Sequence, residues 1–176
     1  MVVLRDMRES DIEDYVRWFV HDTEWMDWDA PWEWSAPAPE DEERRSWAAY
    51  YEQVRSLPAG TPRWKYEVEL DGQHIGWVSA YTDLEYLDNP DGAPAVGIDL
   101  PEQTARGRGV GTEALGQFVR ELRSRGYSRV YTQTWSGNAR MLRVAEKLGF
   151  VELCRRRGHR TVKGEPCDAI TLVLEE

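Results

Sequence analysis

The chain has 176 residues, 41% hydrophobic and 31% charged, with a formal net charge of −10; this balance predicts one globular domain over residues 1–176 with room for a proper core. Acidity without a dense basic face excludes a protein that tracks nucleic-acid phosphates, and it suits amine-bearing partners or plain solubility equally. No apolar run nears the roughly 18–20 residues that cross a bilayer, and residues 1–6 lack the pattern of a secretory signal, so no membrane partner and a cytoplasmic address are expected.

Residues 2–7 read as a strand. Ser10 is placed to cap a helix, with Glu13 completing a capping box and Ile12, Tyr15, Val16 and Phe19 on one face. A Trp-rich loop follows, broken by Pro31, Pro37 and Pro39. The next helix runs over 40–57 and is acidic in its first turn, as the helix dipole favours. Over 64–70, Trp64, Tyr66, Val68 and Leu70 alternate with Lys65, Glu67 and Glu69, the period of a half-buried strand. Asp71-Gly72 then signals a hairpin into a strand over 74–81. Beyond an acidic loop at 82–94 come a strand at 95–100, a glycine-rich turn, a helix over 109–124, a strand at 129–134 and a helix over 138–148. A terminal hairpin, 151–159 with 168–174, turns at Lys163-Gly164. It sets Cys167 opposite Arg160 and Cys154 near Val173, so the cysteines are expected as free thiols in a reducing compartment. His21, His74 and His159 lack ligand spacing, and no metal site is expected. The order implies an α/β fold, a mixed sheet of about seven strands flanked by about four helices.

The stretch that carries chemistry is Arg106-Gly107-Arg108-Gly109-Val110-Gly111-Thr112, between a strand and an amphipathic helix. Glycines let successive backbone N–H groups converge on one concavity, and the helix adds its positive dipole end, which together suit a pyrophosphate. Arg106 and Arg108 add charge at the rim. A dinucleotide fingerprint counted from Gly107 would need glycine where Thr112 stands, and a Walker loop would need Gly-Lys before Ser or Thr.

The pattern of Arg106, Gly109 and Gly111 resembles the acetyl-CoA signature of the GNAT superfamily of N-acetyltransferases. Trp135-Ser136-Gly137-Asn138 and the run from Arg143 to Phe150 resemble that family's second cofactor-facing segment, in a form similar to its RimJ/RimL-like branch. The resemblance implies acetyl-CoA as cosubstrate. It implies strands 95–100 and 129–134 splayed apart, pantetheine against the edge near Leu100, and the pyrophosphate on backbone amides of Gly107, Arg108, Gly109, Val110, Gly111 and Thr112. Asn138 would reach the pantetheine arm, or serve simply as a helix cap. Members of the family are often homodimers.

Three positions the family uses for proton transfer hold Ala145, Met141 and Ala95 here. Asp99, the nearest carboxylate on the cofactor strand, is the candidate base; a solvated strand-end residue is the other reading. Of nine tryptophans, five fall between Trp18 and Trp34, interleaved with acids, and no Lys or Arg stands between Arg17 and Arg44. Trp28, Asp29, Trp32 and Glu33 are the candidate walls for a cationic amine, unless this region is a Trp-filled satellite core. The acceptor is then a small cationic amine or a protein N-terminus. The alternative is a non-catalytic acyl-CoA sensor or scaffold.

Overall fold

The computed structural model describes residues 1–33, 36–88 and 91–175. Strands β1 (Val2–Arg5), β2 (Lys65–Leu70), β3 (Gln73–Tyr81), β4 (Ala95–Asp99), β5 (Val130–Trp135), β6 (Val151–Val162) and β7 (Glu165–Leu174) form one sheet in the order β1-β2-β3-β4-β5-β7-β6. Helices α1 (Asp11–Val20), α2 (Glu40–Ser56), α3 (Val110–Ser124) and α4 (Ala139–Leu148) cover it. Neighbouring strands are antiparallel except β4 and β5, which are parallel. The mixed sheet and its helices agree with the expected α/β architecture. Trp34 and Ser35 of the Trp-rich run, and Asn89 and Pro90 of the acidic loop, lie outside the described residues. No helix among the described residues is long and apolar enough to cross a membrane.

The apolar stripes of α3 and α4 pack on one sheet face. Leu115, Phe118 and Leu122 are completely buried there against Val96, Val130 and Ile170, each contributing about 1.5–3 kcal/mol. The opposite face is roofed by α1 and α2 over Tyr15, Trp18, Trp25 and Trp77. Trp18 and Trp25 of the Trp-rich run are therefore core residues.

This second layer corrects the reading of β2. Trp64 precedes the strand and is 43% exposed, whereas Glu67, expected to face water, is 1% exposed. A buried carboxylate needs partners, and Glu67 has two. Tyr15 Oη donates to its Oε2 at 2.7 Å, and His74 Nε2 lies 3.0 Å from the same oxygen. His74 Nδ1 is 3.1 Å from Asp14 Oδ2. Burial alone would lower the His74 pKa; the hydrogen bonds to Asp14 and Glu67 outweigh it and lift the imidazole from 6.5 to about 8. Because the folded value is raised, the stabilisation is complete below pH 6.5 and is lost as pH rises through about 8. Unfolding free energy is expected to fall by about 2 kcal/mol across that window. Denaturant titrations at closely spaced pH values check this, with His74→Gln losing the slope.

Two further expectations change. Ser10 is itself helical in φ and ψ and makes no side-chain cap; instead Asp11 Oδ2 accepts the Arg8 N–H at 2.7 Å, and Asp11 is held by both terminal nitrogens of Arg5. Asp11 thus satisfies a main-chain donor ahead of α1, and Ser10 caps none of the helix's own amides. The terminal hairpin is longer than expected, and bulges in β6 shift its register. Arg160 does face Cys167, but Cys154 faces Thr171 in place of Val173. Both cysteines are free.

Candidate active site

β4 and β5 share a single paired position, Ala95 with Tyr131. One step on, the Thr132 hydroxyl donates to the Val96 carbonyl at 2.8 Å, taking the place of a ladder bond. Beyond it the strands part, and a cleft of about 480 Å³ opens between Gly97–Leu100 on one side and Thr132–Thr134 on the other. β3 holds the far side of β4 in register, with Trp77 opposite Asp99. Gly76 makes that approach possible: a Cβ there would stand 2.0 Å from the Asp99 carbonyl oxygen.

The glycine turn closes the cleft at its outer end. Gly107 and Gly109 are left-handed (φ 73° and 81°), and a Cβ on either would meet nothing within 4 Å. Gly109 caps α3 and does not belong to the helix as expected. Glu113 N–H bonds to Gly109 O, so the amides of Val110, Gly111 and Thr112 are left without intrahelical partners, open to an anion. Gly107, Gly109, Gly111 and Thr112 line the cleft; the Val110 side chain is in the core.

The arginines of the turn behave differently from the sequence expectation. Arg106 donates to the carbonyls of Leu100 and Pro101, both at 2.8 Å, and pairs with Glu24. Its charge is largely taken up within the protein, and its work is to tie the end of β4 to the turn. Arg108 is exposed and stands away from the cleft lining. Arg106 lines the cleft together with three further cations from one face of α4, where Arg140, Arg143 and Lys147 recur at helical spacing. That spacing was legible in the sequence and was missed. Asn138 lines the cleft and also caps α4, its Oδ1 accepting the Met141 N–H at 3.0 Å.

At the inner end stand the carboxylates. Trp135 Nε1 donates to the carbonyls of Trp28 and Asp29, each at 3.0 Å, which fastens the Trp-rich loop to the end of β5. Trp28, Asp29 and Asp99 thereby share the cleft wall. Burial, then the charge of Glu33, push the Asp29 carboxyl up to about 6, against a hydrogen bond from the Ala30 backbone. Burial, then the charge of Asp29, raise Asp99 well above the usual carboxylate range, against the charge of Lys65. Asp99 is half-buried at the end of β4, on the cleft wall.

Trp32 and Glu33 are not brought to the cleft. Trp32 packs edge-on against Trp135, and Glu33 is exposed. The two rings offered to a foreign cation already carry internal ones: Arg140 lies 4.0 Å from the Trp28 centroid and Arg160 4.9 Å from that of Trp32. Ala145 and Ala95 are completely buried and Met141 nearly so, leaving no proton donor at those three positions.

A mixed sheet parted between its central parallel strands, with a glycine turn and a helix mouth at the opening, defines the GNAT fold class. Residues 2–151 match the family described as Acetyltransferase (GNAT) domain, and the chain belongs to that family. No curated protein sequence matches the chain. Among solved structures, RimJ of Mycobacterium smegmatis in complex with CoA-disulfide is 18% identical, with a TM-score of 0.74 over 99% of this chain and 81% of that one. Ribosomal-protein-S5-alanine acetyltransferase from Vibrio fischeri is 18% identical, with a TM-score of 0.72 over 99% of this chain and 92% of that one. An aminoglycoside acetyltransferase in complex with coenzyme A is 21% identical, with a TM-score of 0.68 over 99% and 95% of the two chains.

The residues present fit acetyl-CoA. Left-handed glycines leave a cradle at the helix mouth that a side chain would fill, and the cations of α4 face the same cleft.

Proposed function

We propose that the protein transfers an acetyl group from acetyl-CoA to a primary amine by direct attack in a ternary complex. The acceptor is a small cationic amine or a protein N-terminal amine; similarity to RimJ and to a ribosomal-protein acetyltransferase favours the second, and similarity to an aminoglycoside acetyltransferase the first. One observation carries the reading. Two carboxylates with raised proton affinity, Asp29 and Asp99, stand where the cofactor strand meets the Trp-rich loop.

Acetyl-CoA supplies an activated thioester. The amides of Val110, Gly111 and Thr112 hold its diphosphate, assisted by Arg140, Arg143 and Lys147, while the free edge of β4 near Leu100 receives the pantetheine amides. Asn138 keeps the start of α4 in place beside that arm. Asp29 attracts an ammonium group, and the Asp99 carboxylate takes one of its protons so that a neutral nitrogen faces the cleft. A carboxyl whose pKa is raised is the better match to an amine, because the proton transfer is then less uphill. With Ala145, Met141 and Ala95 empty of donors, water protonates the departing sulfur.

Thiol release from acetyl-CoA across a panel of small amines and peptides tests this. Release with at least one acceptor, scaling with enzyme concentration, is the expected outcome. The absence of proton donors at the three family positions favours a second reading, an acyl-CoA-binding module. Tight acetyl-CoA binding with no release from any acceptor is its signature.

A further inference from the structure

Lys65 lies on β2 opposite Ser79, on the sheet face that carries the row Glu67, Trp77 and Asp99 across β2, β3 and β4. Its Nζ stands 4.5, 4.6, 5.0 and 4.8 Å from the ring centroids of Tyr15, Trp47, Tyr50 and Trp77. Four rings thus enclose a cation that is largely withdrawn from water, the arrangement in which cation–π attraction is strongest. Trp77 joins this box to the cleft, since its ring borders the ammonium and it stands directly opposite Asp99 on the neighbouring strand. Across that ring the charges of Lys65 and Asp99 act on each other.

We propose that Lys65 is a positioning residue for acetyl transfer: from its aromatic box its charge favours the proton-accepting form of Asp99, against the like charge of Asp29. The inference rests on the reading of Asp99 as the base. The groups facing the pair are few. Lys65 sees Glu67 from its own strand, Tyr15 from α1, Tyr50 from α2 and Asp99 from β4. Asp99 sees Lys65, Asp29 from the Trp-rich loop, and Tyr81 from β3.

The arrangement has a working range. Burial draws the Lys65 pKa from 10.5 down to about 8, against the charges of Glu67 and Asp99. Below that pH the ammonium keeps its charge and opposes protonation of Asp99. Above it Lys65 is neutral, the counter-charge is gone, and the proton affinity of Asp99 rises.

The test follows the side-chain carboxyl carbon of Asp99 by NMR in a pH titration of the intact protein, alone and with CoA. Asp99→Asn assigns the signal. Lys65→Met is expected to raise the Asp99 midpoint by about one pH unit, the lower end of what the loss of an opposite charge does. Lys65→Arg, which keeps the charge at every pH in the window, is expected to leave it in place. In kcat/KM profiles with an active acceptor, the acidic limb should move upward by the same amount in Lys65→Met and remain fixed in Lys65→Arg. An unmoved Asp99 midpoint in Lys65→Met overturns the proposal for Lys65. Full activity in Asp99→Asn removes the reading beneath it and leaves the measured Lys65–Asp99 coupling standing as a separate result.

Discussion

Asp99→Asn is expected to lower kcat/KM for the acceptor by about 10²–10³-fold at pH 7, the usual contribution of one well-placed general base. The amide is nearly isosteric, so the protein should fold and bind CoA as before. The cause is the acceptor's own protonation. An alkyl ammonium is almost wholly charged at neutral pH and cannot attack until it loses a proton, and burial and Asp29 raise the proton affinity of Asp99. This predicts a signature beyond loss of rate. The deficit should shrink as pH approaches the pKa of the acceptor amine, because solvent then does the work of Asp99. Steady-state rates from pH 6 to 10 check it. A constant deficit at every pH would assign Asp99 to acceptor binding alone.

Gly109→Val is expected to weaken CoA binding well over tenfold, a loss above about 1.4 kcal/mol. Gly109 is the left-handed cap of α3 with open space where a Cβ would project, so a branched side chain would stand in the concavity that receives the diphosphate. The same change forces a β-branched residue to φ 81°, at a cost of about 1–2 kcal/mol. Strain and steric filling must therefore be separated. Gly72 at the β2–β3 turn has φ 88° and equally open surroundings but lies outside the cleft lining. Gly72→Val should lose comparable stability and retain CoA affinity. Equal affinity for the two variants in calorimetric titration would mean that this turn does not hold the cofactor.

The site was legible where local rules suffice. Gly107, Gly109 and Gly111 ahead of an amphipathic helix announce an anion-binding turn, because backbone approach and free N–H groups at a helix start depend only on neighbouring residues. Asn138 ahead of α4 reads as a cap for the same reason. The face shared by Arg140, Arg143 and Lys147 was equally local. What misled was a residue's type taken without its surroundings. Arg106 lines the cleft as a rim cation, but Glu24 and two carbonyls also take its donors. Glu67 looks like a solvent-facing strand residue until α1 and α2 cover that face.

By itself the sequence determined the order of elements and a glycine turn suited to a diphosphate, since periodicity, capping and turn chemistry act over a few residues; acetyl-CoA came from the resemblance to a family. The tertiary structure alone decided which acids and cations meet. Glu67, Trp77 and Asp99 fall in one row because three strands from distant parts of the chain align in register, and Asp29 joins them because Trp135 fastens its loop. Proton affinities follow from that convergence. Burial and neighbouring charge set them, and neither exists before the layers close over the sheet.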